Sequence, residues 1–472
     1  MGHEQLKIPM DPFSEIGLYA ETKYYPKTDF TQMEFKGPLD IDALREAFEE
    51  AVSMVPIFNS NLFFERDGLQ FIPYWHLNQD KKNTLHYQDC RHLTREPFDP
   101  MEFLNLVHGE RMRRSVNLAE EFPFKAFLLH IFDDRYIFSV RYQHSAMDPF
   151  KGYYVMTLML AKYHEKVKGK RPEWASALGM ASLGNKPKHG TKKVPRKFKN
   201  YFVVERSQDI ARRFFKYGGI TPIQSEEVLP FKDAIGRHSL RVVFDDPKII
   251  EGFAARAAKA DARVNDFLLT IMQRQLADWN RERGVDRSCF RLMLVSSLKG
   301  RMELSRDVGA GISGISFVTG GISGMDFDEM MGWFKQKRIE LLKGKFDVRF
   351  NKWVALYTGQ TRFLPFPVRR RMWRQVLKSI HLSVYLSNLG VVWPKVVNGK
   401  PTMDSQVLGA GDFIISDIHS SPSIGPNIGL GVTIRTHNRR TYVNFVCDRY
   451  RFREEEAKEL VAHIESGLLN AI

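Results

Sequence analysis

The chain has 472 residues, 43% of them hydrophobic and 26% charged, so it is long enough for two ordinary domains and too apolar for disorder. Its formal charge of +15 favours anionic partners: phosphates, acidic carrier proteins or a membrane surface. Nucleic acid is disfavoured, because zinc-finger spacing, an RNP-like aromatic motif and a basic heptad are all missing.

In chain order, the opening PMDPFSEIGLYAE leads to a strand-like FTQMEFKG over 30–37. Gly37-Pro38-Leu39-Asp40 then turns into a helix, IDALREAFEEAVSMV, whose buried stripe is Ala43, Leu44, Ala47, Phe48, Ala51 and Val52. Pro56 ends it, and NSNLFFE with GLQFIPYW forms a hairpin around Asp67-Gly68. Residues 84–100 are loop-like, and FLNLVHGERMRRSVNLA is the next helix. Phe122-Pro123-Phe124 enters paired strands that end at Gln143, and a helix runs from Pro149 to Lys168.

Residues 185–200, NKPKHGTKKVPRKFKN, contain lysines and arginines, no acid and two prolines, which predicts a solvated crossover between units 1–184 and 201–472. The second unit repeats the alphabet: strand SLRVVF, helix IIEGFAARAAKA, then Val264-Asn265-Asp266 starting FLLTIMQRQLADWN. RLMLVSSL is a strand and MDFDEMMGWFKQKRIELLKG a helix, with the glycine-rich 308–324 stretch between them. PVRRRMWRQVLKSI is a basic amphipathic segment, read as a solvated face or as a contact for anionic lipid or a carrier phosphate. Strands SVYLSNLGVV, GLGVTIRTH and RRTYVNFVCD precede the last helix, REEEAKELVAHIESGLLNAI. The pattern is α/β in both halves.

Cys90, Cys289 and Cys447 are scattered without metal spacing, which implies a reducing compartment. No apolar run reaches ~18 residues and no signal-peptide core follows the start, so a soluble cytoplasmic protein is expected. Peripheral association with an anionic membrane stays open.

The ten residues RYQHSAMDPF, 141–150, organise the rest. His144 and Asp148 fall on the turn between an aromatic, β-branched strand and an apolar helix. Such a turn presents an imidazole to a cleft on a rigid scaffold, where its neutral form can take a proton from a hydroxyl or amine. The spacing alone is common, since His76/Asp80 and His130/Asp134 share it; only the third has a strand before it and a helix after it. A satisfied core histidine is the competing reading.

Four segments in the same order bring a family into view: GPLDIDALREAFEEAV, QHxxxDP at 143–149, Asn265-Asp266, and Ser387-Asn388-Leu389-Gly390. The chain resembles the chloramphenicol-acetyltransferase-like superfamily, which includes condensation domains, alcohol O-acetyltransferases, polyketide-associated acyltransferases and wax ester synthases with their HHxxxDG motif. The resemblance implies two α/β sandwich domains in a V around a central tunnel. It also implies acyl transfer from a CoA or phosphopantetheinyl carrier thioester to a hydroxyl or amine, with no bound cofactor and no metal. His144 would be the general base, Asp148 and Gln143 would support the motif, and Asn59, Ser297 and Asn388 would line the tunnel. Abundant phenylalanine and the basic helix lean toward a greasy or lipid-like substrate. The sequence departs from the pattern at three places: Gln143 for the first His, Pro149 for the Gly, and Asn59 where relatives carry an arginine. These keep open a second reading, a non-catalytic protein that binds a thioester or carrier as a scaffold.

Overall fold

Two six-stranded sheets carry the chain, each covered by helices. The computed structural model describes residues 7–147, 149–177, 219–226, 236–297, 312–397, 400–405, 408–426 and 428–472. The basic crossover 185–200 and Asp148 lie outside them.

The first sheet runs, in spatial order, Gly409–Ala410, Phe413–Ser421, Thr28–Lys36, Arg135–Gln143, Phe124–Phe132 and Leu85–Asp89. Its central strands are buried nearly throughout, which suits their aromatic and β-branched composition. Helices Ile41–Ser53 and Pro149–Lys168 cover it. The first of these starts where Asp40 accepts the Ala43 amide at 2.9 Å. Leu44, Ala47, Phe48, Ala51 and Val52 then face the core at three- and four-residue spacing, the larger ones each contributing ~1.5–3 kcal/mol by burial.

The second sheet runs Ile312–Val318, Arg291–Ser297, Leu382–Val391, Ile428–His437, Arg440–Asp448 and Arg237–Phe244. Helices Lys248–Lys259, Val264–Glu282, Phe327–Lys343 and Glu454–Asn470 pack over it in a second core. The hairpin Ser60–Asp67/Gln70–Leu77 forms as expected, its turn eased by Gly68 at φ +60°.

Three expectations change. Residues 84–100 are not all loop: Leu85–Asp89 is an edge strand, hidden from sequence patterning because only Leu85 is buried. Strand Phe413–Ser421, from the span expected in the second unit, pairs with Thr28–Lys36 in the first sheet. The sheet that carries His144 therefore needs residues from both ends of the chain. The basic helix Phe366–Ser379 is not a uniformly solvated face either. Arg369 is fully buried, bonded to Glu15 at 2.5 Å, and Arg370 donates to the Glu21 carbonyl. Arg374 reaches the Tyr19 carbonyl at 3.2 Å.

The three cysteines are buried and unbridged. Among the described residues no helix is long and apolar enough to cross a membrane, and no cluster of ligating side chains could hold a metal ion.

Candidate active site

His144 sits one residue past strand Arg135–Gln143. Its amide donates to the Lys27 carbonyl at 2.9 Å, and the Ala146 amide closes the turn onto the Gln143 carbonyl at 2.9 Å. Gln143 is fully buried and holds the turn from inside: its Oε1 accepts the Ser145 amide at 3.2 Å and its Nε2 donates to Glu21 at 3.0 Å. Helix Pro12–Ala20 closes on the same turn at Gly17, where an added Cβ would collide with the Ser145 hydroxyl.

The ring itself is held by a residue that sequence reading did not single out. His144 Nδ1 donates to Asp29 Oδ2 at 2.8 Å. Asp29 is fully buried on strand Thr28–Lys36, directly across from Tyr142. Its other oxygen accepts the Ser423 amide at 2.6 Å. Burial alone would raise this carboxyl, but the His144 ring, the nearby Arg237 guanidinium and the Ser423 bond outweigh it and hold it below the ordinary carboxylate value. Arg237, from the second sheet, donates to the Thr28 carbonyl at 2.8 Å and to the Ser421 carbonyl at 2.7 Å. The one signal in the sequence is an aspartate within a strand of aromatic and β-branched residues, where carboxylates are disfavoured.

This geometry sets the chemistry of the ring. A carboxylate on Nδ1–H fixes the tautomer and leaves the lone pair on Nε2, while its charge stabilises the imidazolium that forms on proton uptake. The His144 side chain is 38% exposed, against none for Asp29. It opens on a cavity of about 330 Å³ lined by Lys27, Ser145, Arg374, Leu377 and Pro426 among others. A buried, anchored carboxylate behind a partly open imidazole at the edge of a cavity is an arrangement that can work as a general base.

The other two histidines of the same spacing bond to neighbours away from the His144 cavity. His76 pairs with Glu65 at 2.7 Å, and His130 bonds the Tyr87 hydroxyl at 3.0 Å. Of the expected tunnel residues, none lines the His144 cavity among the described side chains. Asn59 ends a turn, its Oδ1 accepting the Asn83 amide at 3.0 Å. Asn388 donates to Asn265 Oδ1 at 2.8 Å and accepts the Gly390 amide at 2.9 Å, so the two asparagine motifs meet each other. Ser297 pairs with Ile312 at a strand end; its side chain lies outside the description.

The comparison with solved structures covers nearly the whole chain. The first condensation domain of the CDA synthetase matches over 99% of this chain and 97% of its own, with a TM-score of 0.65 at 12% identity. This chain has the condensation-domain fold. A starter condensation domain of rhizomide synthetase, in complex with C8-CoA and Leu-SNAC, matches over 98% and 94% with a TM-score of 0.62 at 12% identity. SgcC5 from Streptomyces globisporus matches over 98% of both chains with a TM-score of 0.59 at 13% identity. No family model and no curated protein matches the sequence. The expected two-lobed α/β architecture is the one observed.

Proposed function

We propose that this protein is an acyltransferase that moves an acyl group from a CoA or carrier-protein thioester to a hydroxyl or amine. The observation that carries the reading is the 2.8 Å bond from His144 to the buried Asp29 at the edge of a cavity. His144 Nε2 takes the proton of the acceptor as that atom attacks the thioester carbonyl. The C–S bond then breaks, and the leaving thiolate takes up the proton that the ring holds, so that thiol is released and the neutral imidazole is restored. Holding both substrates in line supplies a further large share of the rate. Gln143 is assigned to keeping the turn in shape, and Asp148 to the same task rather than to the chemistry.

Likeness supports the reading through the fold and through a solved condensation domain in complex with C8-CoA and Leu-SNAC. The scaffold reading, without chemistry, leaves the bond from His144 to the buried Asp29 without a purpose, since a bare binding cleft needs no oriented base. The test is incubation of the protein with a panel of acyl-CoAs and acyl carrier proteins, with and without alcohols and amines, reading thiol release. Acceptor-dependent release supports transfer. Tight thioester binding without any release supports the scaffold.

A further inference from the structure

The His144 cavity contains a charge that the proposed chemistry leaves unused. Lys27 immediately precedes strand Thr28–Lys36 and lines the cavity together with His144. It is 9% exposed, yet its ammonium makes no ion pair or hydrogen bond among the described residues. The two nearby carboxylates are committed elsewhere. Glu21 accepts from Gln143 and from the Lys27 backbone amide, and Asp29 accepts from His144 and Ser423. Among the described lining residues there is no carboxylate, and the second cation, Arg374, is bonded to backbone carbonyls. Burial accordingly pushes Lys27 down to about 8, against the pull of Asp29 and Glu21.

A buried ammonium that feels Asp29 and Glu21 only at a distance, with no direct ion pair, gains from an anion that contacts it. Around it the wall is apolar: Ile16, Leu377, Pro426 and Ile428. We propose that Lys27 binds a carboxylate on the substrate, so that the acyl group or acceptor handled at His144 is an amphipathic acid, its head on Lys27 and its body on the apolar wall. The volume of about 330 Å³ is in the range of a small-molecule pocket. This deepens the acyltransferase reading and rests on it for the word substrate, but not for the binding itself.

Octanoate and octanamide make the test, because they differ only in the charged head. Calorimetric titration at neutral pH should show octanoate binding about tenfold to a hundredfold tighter than octanamide, the reach of a hydrogen bond to a charged group. Lys27→Met should abolish that ratio while octanamide affinity, the internal check on folding, is kept. Lys27→Arg should retain most of it. Equal affinities in the wild type, no octanoate binding at all, or a preference that survives Lys27→Met each overturn the proposal. Since the readout is binding, absence of acyl transfer is a separate result that bears on the function alone.

Discussion

A carboxylate beside an imidazole does two things, fixing the tautomer and stabilising the cation, and one substitution disturbs both. Both oxygens of Asp29 accept, one from His144 and one from the Ser423 amide. An amide has only one acceptor oxygen, so Asp29→Asn must either strand the Ser423 amide or present an NH2 to His144, which forces the wrong tautomer. Turnover should fall by about a hundredfold or more while the far-UV spectrum is unchanged. Full activity in a folded Asp29→Asn protein contradicts the assigned role. Gly17 is the second informative position, since a methyl there meets the Ser145 hydroxyl in a packed turn. Gly17→Ala should cost about 1–3 kcal/mol in thermal unfolding and reduce turnover as well, because the displaced turn is the one that carries His144. An unchanged melting curve speaks against close packing there.

At the scale of elements, the start of helix Val264–Glu282, one of the segments that carry the resemblance, is held by a buried ion pair. Asp266 accepts the Arg263 amide at 3.0 Å and is paired with Arg338 at 2.7 Å, both side chains being buried. Arg338→Met leaves that carboxylate alone, and the expected loss is about 3–5 kcal/mol in a denaturant titration. A loss below about 1 kcal/mol means that water reaches the site. Elements of this kind were legible where a single period dominates: the helix 41–53, and the strand 135–143 with the helix after it. Strand Phe413–Ser421 was not, because its pattern is mixed and its partner lies 382 positions away at Glu34. The position of His144 could be read from the turn around it, whereas Asp29, 115 positions earlier, could not be paired with it. Nor does sequence tell which of several consecutive arginines is buried, as Arg369 is.

For the whole molecule, the site depends on the seam between the two sheets. Arg241 bonds Asp417 at 2.8 Å, Arg435 bonds the Tyr153 hydroxyl at 2.8 Å, and the Tyr25 hydroxyl donates to Asp448 at 3.1 Å. Burial pushes the Asp448 carboxyl from 3.8 up to about 6. A raised carboxyl favours the protonated form in the fold, so its contribution to stability is full below the unfolded value of 3.8 and is lost as pH rises through about 6. Unfolding measured at steps across that window should show a difference between wild type and Asp448→Asn that changes with pH; a constant difference contradicts the assignment. The seam reaches the site through Arg237, which bonds the Thr28 and Ser421 carbonyls near Asp29 and Ser423, and the account stands on His144 as the base. The most direct test is turnover of the His144→Ala protein on whichever acyl-CoA and acceptor the wild type uses, with folding checked by circular dichroism. The predicted result is a folded protein slowed by about a hundredfold to ten-thousandfold. A folded His144→Ala protein that releases thiol at the wild-type rate contradicts it.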